Sequence, residues 1–254
     1  DQDAVLLDLR DVPEERWYYE NDGIAALNEM RNFDWQKKPL HIAPAAEKMA
    51  GGIYTDEYFK TSLEGFYAAG EAGPGVSLPF CIVSGACSGR YASWYAREAA
   101  PVELRDEEIK WIDKKQQEAR KFLSGESNDT GDPRNIKKDI KETMWTYVGT
   151  LRIEGELQKG LQELERIEKE RLPKIFAKDM RSLREVYEVM NMVIVSKMIA
   201  ESARFRTESR GLHQRLDYPR EDNMNWLKNV ILQASEGGMR LITRPVNLIW
   251  EKPE

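Results

Sequence analysis

The strongest indication of a fold in this sequence is a pair of neighbouring strings, Gly51-Gly52-Ile53-Tyr54-Thr55-Asp56 and Gly65-Phe66-Tyr67-Ala68-Ala69-Gly70-Glu71. Glycine at this density allows the backbone to adopt positive φ or to approach a ligand closely. A buried strand over residues 65–69, a glycine-rich turn and a helix from about Ser84 to Ala99 are predicted here. This order is a common way to present backbone N–H groups to a phosphate.

The sequence on either side of this region predicts an α+β protein. Apolar residues at helical spacing predict helices over residues 104–123, 135–152, 154–171 and 181–205, and a bundle would bury their apolar faces. Residues 227–232 and 239–249 read as strands on either side of a Glu236-Gly237-Gly238 turn. Before residue 46 we expect a strand at 5–9, a helix at 23–31 and an extended segment at 40–43.

Composition excludes several classes of function. The chain of 254 residues has a formal net charge of -6, which argues against a nucleic-acid partner. No apolar run approaches the roughly 20 residues of a membrane span, and the N-terminus does not read as a secretory signal. Two cysteines and two histidines exclude a disulfide framework and disfavour a metal site. We therefore expect a cytoplasmic protein, at most peripheral to the inner face of a membrane through a partner.

The two glycine strings resemble the second FAD-contacting stretch of the succinate dehydrogenase, fumarate reductase and L-aspartate oxidase flavoproteins. A second resemblance to this family begins at Arg206-Thr207-Glu208-Ser209-Arg210-Gly211-Leu212-His213. It continues through Arg215, Asp217-Tyr218-Pro219, Asp222 and Asn225-Trp226. We refer to residues 206–226 as the signature segment. The resemblance implies that Arg210 and His213 mainly tie the helical bundle to the flavin domain, with contact to the substrate as the alternative.

The resemblance implies the C-terminal part of a FAD-dependent oxidoreductase. Residues 1–45 would end a capping domain, 46–102 would be a returning segment of the FAD-binding α/β domain, 103–205 the helical bundle, and 206–254 the signature and a β-hairpin. The G-x-G-x-x-G motif that holds the FAD pyrophosphate in the family does not occur here, and we expect it before Asp1. The FAD would therefore be shared with an N-terminal part of the same flavoprotein, and this chain alone would be inactive. The alternative is a non-catalytic fragment or subunit whose helical bundle is a protein-docking module.

The resemblance also proposes cofactor-binding residues: Gly52, Gly70, Glu71, Ser84, Gly85, Ala86 and Cys87. Glu71 would accept hydrogen bonds from a ribose diol, with a helix cap or salt bridge as the alternative. The loop at residues 84–89 would place helix N-terminal amides against the flavin ring, or else form a tight turn that touches no ligand. Cys87 is either a thiol at a helix start or an inert small residue.

Departures from the family pattern bear on the substrate. Glu47 and Lys48 stand where the dicarboxylate enzymes have histidine and tyrosine, and residues 77–82 contain no basic residue where those enzymes have a carboxylate-binding arginine. A substrate other than a simple dicarboxylate is therefore expected, as in the adenylylsulfate-reductase-like branch. The candidate catalytic residues are Glu47 and Lys48, which could equally form a surface ion pair, and Arg90, which could equally lie on a helix face. An iron-sulfur electron-transfer subunit is the expected partner.

Overall fold

A computed structural model describes residues 5–11, 37–42, 51–73, 75, 77–100, 103–123, 129–236 and 238–246. The chain divides into two compact units, Asp1–Glu47 and Lys48–Glu254. In the first unit, β1 (Val5–Leu7) pairs with β2 (Leu40–Ile42) in antiparallel register, with Leu6 opposite His41. These strands confirm the extended segments predicted near residues 5–9 and 40–43. The helix predicted at 23–31 lies outside the described residues.

The second unit starts with the glycine strings and a long helix, α1 (Leu78–Glu98). Residues 65–69 do not form the buried strand that we predicted. They make a single bridge, between Tyr67 and Lys60, and the Phe66 side chain is 65% exposed. A strand needs neighbours on its hydrogen-bonding edges and cover on its faces, and this segment has a neighbour on one edge only among the described residues.

The four-helix prediction for residues 104–205 is confirmed. The helices are α2 (Asp106–Leu123), α3 (Pro133–Val148), α4 (Glu154–Arg166) and α5 (Met180–Phe205). A π-helical turn (Ile167–Arg171) and a 3-10 turn (Leu172–Lys174) extend α4. The ends follow local chemistry: Asp132 caps α3, and Asp179 forms a reciprocal capping box with Ser182 at α5.

The core of the second unit lies between α3, α4 and α5. One buried cluster includes Ile136, Ile140, Leu164, Ile167, Val186, Val189 and Val193. A second includes Val148, Leu157, Leu161, Ala200 and Ala203. Within each helix these positions recur at spacings of three or four, so that one face of each helix is buried. The bundle inferred from this periodicity is therefore the core of the structure.

The last part of the chain is a short-element region followed by a hairpin. Parallel β3 (Leu151–Arg152) and β4 (Gln214–Arg215) join the end of α3 to the signature segment, which ends in the short helix α6 (Asn223–Trp226). The antiparallel strands β5 (Lys228–Ser235) and β6 (Gly238–Pro245) confirm the predicted hairpin. The α+β assignment is thus confirmed. Among the helices described, none has the length and hydropathy needed to cross a membrane.

Candidate functional site

The turn at residues 51–54 lies directly against the second glycine string. The Ile53 N–H donates to the Ala72 carbonyl at 2.8 Å. A Cβ added to Gly52 would lie 2.1 Å from the Gly73 carbonyl oxygen, so only glycine allows the two backbones to come this close. Packing within the chain is therefore enough to require glycine at position 52, which we predicted to bind the cofactor.

Gly70 and Ser84 are joined by a hydrogen bond. Gly70 adopts a φ of +61° at the start of a 3-10 turn, Gly70–Ala72, and its N–H donates to Ser84 Oγ at 2.9 Å. The Ser84 hydroxyl donates in turn to the Phe80 carbonyl at 2.6 Å and is fully buried. Ser84 therefore fastens the 3-10 turn to α1. Its described contacts are within the chain.

Glu71 occupies the middle of this 3-10 turn and is exposed. Among the described residues its carboxylate has no hydrogen-bond or ion-pair partner, in contrast to the paired carboxylates of the signature segment. The predicted helix-cap and salt-bridge alternatives are therefore not seen in the described part of the chain. An unpaired carboxylate held on a glycine-flanked turn can accept two hydrogen bonds from a diol.

Helix α1 begins six residues earlier than predicted, which changes the roles available to residues 84–89. Ser77 is the N-cap, its Oγ accepts a hydrogen bond from the Phe80 N–H at 3.4 Å, and Pro79 lies in the first turn. Serine followed closely by proline is a helix-start signal that outweighs the glycines downstream. The amides of Ser84, Gly85, Ala86 and Cys87 are consequently inside the helix, and the prediction that they form its N-terminus was wrong.

Three of the predicted residues of α1, Gly85, Ala86 and Arg90, nevertheless share an exposed side of the helix. Gly85, Ala86 and Arg90 are exposed, and Cys87 is half-buried. Leu78 and Ile82 extend the same side of the helix at 72% and 65% exposure. The structure thus brings Gly52, Gly70, Glu71 and Ser84 together around one turn. Glu47 and Lys48 lie outside the described residues, and their catalytic role stays a prediction, as does that of Arg90.

A second polar cluster lies in the signature segment and is centred on Glu208, which is fully buried. Its Oε1 accepts from Arg206 and from Arg210 Nε, and its Oε2 accepts from Arg210 Nη2 and from the Asp222 N–H. Burial alone would raise the pKa of Glu208, but these hydrogen bonds outweigh it and lower the pKa. Arg206 also donates to the Trp226 and Lys228 carbonyls. Glu208 therefore links the end of α5 to α6 and β5.

Arg215 and Asp217 connect the ends of two helices. Arg215 is buried and donates from Nη1 to the carbonyls of Ala203 and Arg204 at the C-terminus of α5, at 2.9 and 3.1 Å. Its Nε and Nη2 donate to both Asp217 oxygens at 2.7 Å. Asp217 in turn accepts from the Glu154 N–H at 2.9 Å, the first residue of α4. Each charge thus lies at the helix end whose dipole it complements.

His213 is held between Arg152 and the main chain of Arg206. Arg152 Nη1 lies 2.9 Å from His213 Nδ1, and His213 Nε2 lies 3.2 Å from the Arg206 carbonyl oxygen. Arginine can only donate and a carbonyl can only accept, so these partners select the neutral ring with its proton on Nε2. Burial lowers the pKa of His213, the bond to the Arg206 carbonyl opposes this, and the charges of Arg152, Arg206 and Arg215 lower it further.

This arrangement predicts that the protein loses stability as the pH falls below about 6.5. Because the His213 pKa is lower in the folded chain than its usual 6.5, the unfolded state binds more protons in the interval between the two values. The free energy of unfolding of the wild type should fall between pH 7.5 and 5.5 in urea titrations, and His213→Gln should remove most of that fall. His41→Gln is the control, since His41 is the other histidine of the chain. An unchanged pH dependence in His213→Gln would contradict the assignment.

A further contact was not foreseen from the sequence. Arg244 of β6 donates from Nη1 to the Tyr54 hydroxyl at 3.0 Å, although 190 positions separate the two residues. Neither residue belongs to a motif or a periodic pattern that marks it as a contact, so the sequence could not have paired them. The Ser77 cap, by contrast, could have been found from the proline that follows it.

Comparison with known proteins shows the family to which the chain belongs. The family model described as "Fumarate reductase flavoprotein C-term" matches residues 137–254. The succinate dehydrogenase flavoprotein subunit of Coxiella burnetii is 31% identical over 97% of this chain and 45% of its own length. The chain belongs to the succinate dehydrogenase and fumarate reductase flavoprotein family. An uncharacterized FAD-dependent oxidoreductase of Methanocaldococcus jannaschii is 29% identical over 80% of this chain and 38% of its own.

Solved structures of the family agree with the fold. The chain is similar to a variant of E. coli quinol fumarate reductase, with a TM-score of 0.84, 25% identity, and coverage of 99% of this chain and 46% of that one. Adenylylsulfate reductase from Archaeoglobus fulgidus shares the fold, with a TM-score of 0.72 at 19% identity over 91% of this chain and 43% of that one. The chain spans less than half the length of these relatives.

Proposed function

We propose that this chain supplies part of the FAD site of an oxidoreductase, and that the cofactor is shared with a preceding part of the same polypeptide. The observation that supports this most directly is the unpaired Glu71 carboxylate on the Gly70–Ala72 turn. When bound, FAD would supply the hydride and electron chemistry of the reaction. The residues of this chain would bind and orient it.

The described residues fit such a cofactor at two places. Glu71 would hold a ribose diol, and Gly52 and Gly70 would give the turn its narrow profile. The N-terminal turn of α1 contains no acidic residue, so the positive end of its dipole is free to face the negative charge of a reduced ring. That role moves from the predicted residues 84–87 to the start of α1. The Leu78 N–H is the amide left for a ligand there, because Pro79 has no N–H and the Phe80 N–H donates to Ser77 Oγ. Gly85 and Ala86 would instead give a flat face on α1.

The exposed apolar side of α1 supports sharing of the cofactor with another part of the polypeptide. Leu78, Ile82 and the small residues Gly85 and Ala86 form a surface on which further protein can pack closely. The relatives are more than twice as long as the matched region, which leaves ample chain to cover it. By analogy with relatives named as subunits, an iron-sulfur subunit is the proposed electron-transfer partner.

For the substrate we propose a molecule other than a simple dicarboxylate. Residues 77–82, which contain no basic residue, form the N-cap and first turn of α1 beside the proposed flavin position. A substrate carboxylate normally needs a bidentate arginine. Arg90, on the exposed face of α1, remains the candidate substrate contact within the described residues.

The test is flavin binding by the full-length gene product that contains this chain. It should retain flavin absorption after dialysis, whereas the 254-residue chain alone should not. Glu71→Ala should raise the dissociation constant for FAD about 10- to 100-fold, because it removes hydrogen bonds to a charged group. Glu57→Ala, an exposed carboxylate nearby, is the control and should have no effect. A full-length protein that never retains flavin would refute the oxidoreductase proposal.

A further inference from the structure

We propose that Arg244, on the C-terminal hairpin, is a positioning residue that holds the turn at residues 51–54, which we call the cofactor turn, in the geometry that binds FAD. It acts through Tyr54. This inference rests on the FAD role proposed above, and it adds a contribution from a segment that has no other described connection to that role. The hairpin is then part of the cofactor site's support as well as the end of the fold.

The contact between Arg244 and Tyr54 has two components. Besides the 3.0 Å hydrogen bond to the hydroxyl, the guanidinium carbon lies 4.9 Å from the centre of the Tyr54 ring. A guanidinium at this distance over an aromatic ring is attracted by the ring quadrupole. In the described part of the chain no carboxylate forms an ion pair with Arg244. The tyrosine is therefore the described partner of this cation.

Tyr54 directly follows the two residues, Gly52 and Ile53, that make the close backbone contacts of the site. Ile53 donates to the Ala72 carbonyl at 2.8 Å, and Gly52 lies so close to Gly73 that a methyl group could not be added. Glu71 lies on the same 3-10 turn as Ala72. A shift of Tyr54 would therefore be passed through Ile53 to the turn that presents the Glu71 carboxylate.

The chain offers a matched control on the same strand. Arg240 of β6 donates from Nη2 to Gln233 Oε1 at 3.0 Å, a contact that stays within the hairpin. Replacing Arg240 removes a charge and a hydrogen bond from the hairpin without touching the cofactor turn. If loss of hairpin stability is the cause of an effect, both variants will show it. If Arg244 positions the cofactor turn, only the replacement of Arg244 will show it.

Hydrogen exchange on the 254-residue chain tests the positioning itself. Arg244→Ala should accelerate exchange of the Ile53 amide about 5- to 20-fold, because it removes one hydrogen bond and one cation–π contact. Tyr54→Phe, which keeps the ring, should have a smaller effect, and Arg244→Lys should restore part of the protection. The Ile136 amide at the start of α3 should be unchanged throughout. Equal exchange at Ile53 in Arg244→Ala and Arg240→Ala would overturn the inference.

The consequence for the cofactor is measured in the full-length protein. Arg244→Ala should raise the dissociation constant for FAD about fivefold, Arg240→Ala should not change it, and Arg244→Lys should recover part of the loss. Faster exchange at Ile53 with unaltered FAD affinity would also overturn the inference. If the wild-type protein takes up no FAD, the proposed function fails, while the exchange experiment still decides whether Arg244 holds the turn.

Discussion

Replacing Glu208 by Gln should lower the free energy of unfolding by about 3–5 kcal/mol. The substitution changes almost no volume, so the loss is electrostatic. Glu208 has no exposed side-chain surface and accepts four hydrogen bonds, three of them from the guanidinium groups of Arg206 and Arg210. A glutamine leaves both cations without their shared counter-charge and turns an N–H₂ group toward donors. The midpoint of urea unfolding, followed by circular dichroism, measures the effect.

Glu221→Gln is the matched control for this prediction. Glu221 lies 3.5 Å from the same Arg210 guanidinium, but its side chain is 57% exposed. Ion pairs of this kind contribute little to stability because water competes for both charges. We expect a change below about 1 kcal/mol. Comparable losses in the two variants would show that Glu208 does not link α5, α6 and β5 as the geometry indicates.

The elements of this fold that could be predicted from the sequence are those that depend on residues close together in the chain. Residues such as Val186, Val189 and Val193 recur at helical spacing, and burial of that face decides the structure whatever lies far away in sequence. The hairpin is equally local, because its turn residues and alternating strands are adjacent. Both were predicted within a few residues of their observed ends.

What the sequence did not predict depends on neighbours. The glycines at 85 and 89 suggested a turn, but Ser77 and Pro79 start the helix earlier in the chain. Two glycines lower the stability of a helix only modestly, and α1 therefore continues through both of them. Residues 65–69 have the composition of a buried strand yet form one bridge, because composition cannot supply partner strands. The partners of Glu208 lie within the signature segment, as does Asp217, the partner of Arg215, but a string of residues does not show which charges meet.

Arg215→Met should also destabilise the chain by about 3–5 kcal/mol. The side chain is buried, and its loss removes the donor to the Ala203 and Arg204 carbonyls of α5 and leaves the Asp217 carboxylate with the Glu154 N–H but without its counter-charge. Methionine fills much of the same volume, so a cavity does not explain the loss. Arg204→Met is the control: its side chain is 41% exposed, and its ion pairs with Glu154 and Glu201 lie at the surface. A loss in Arg204→Met as large as that in Arg215→Met would contradict the burial argument.

The effect of Arg215→Met should itself depend on pH, which separates its pairing with Asp217 from simple packing. The hydrogen bonds from Arg215, together with the one from the Glu154 N–H, lower the pKa of Asp217 from 3.8 to about 2, against the opposing effect of burial. This carboxylate therefore stabilises the fold above about pH 4, and the contribution is lost as the pH falls toward 2. Without Arg215 the Asp217 pKa should return toward its usual value. The stability difference between wild type and variant should thus narrow from about pH 5 to about pH 2.5. A constant difference would mean that Arg215 acts through the α5 carbonyls alone.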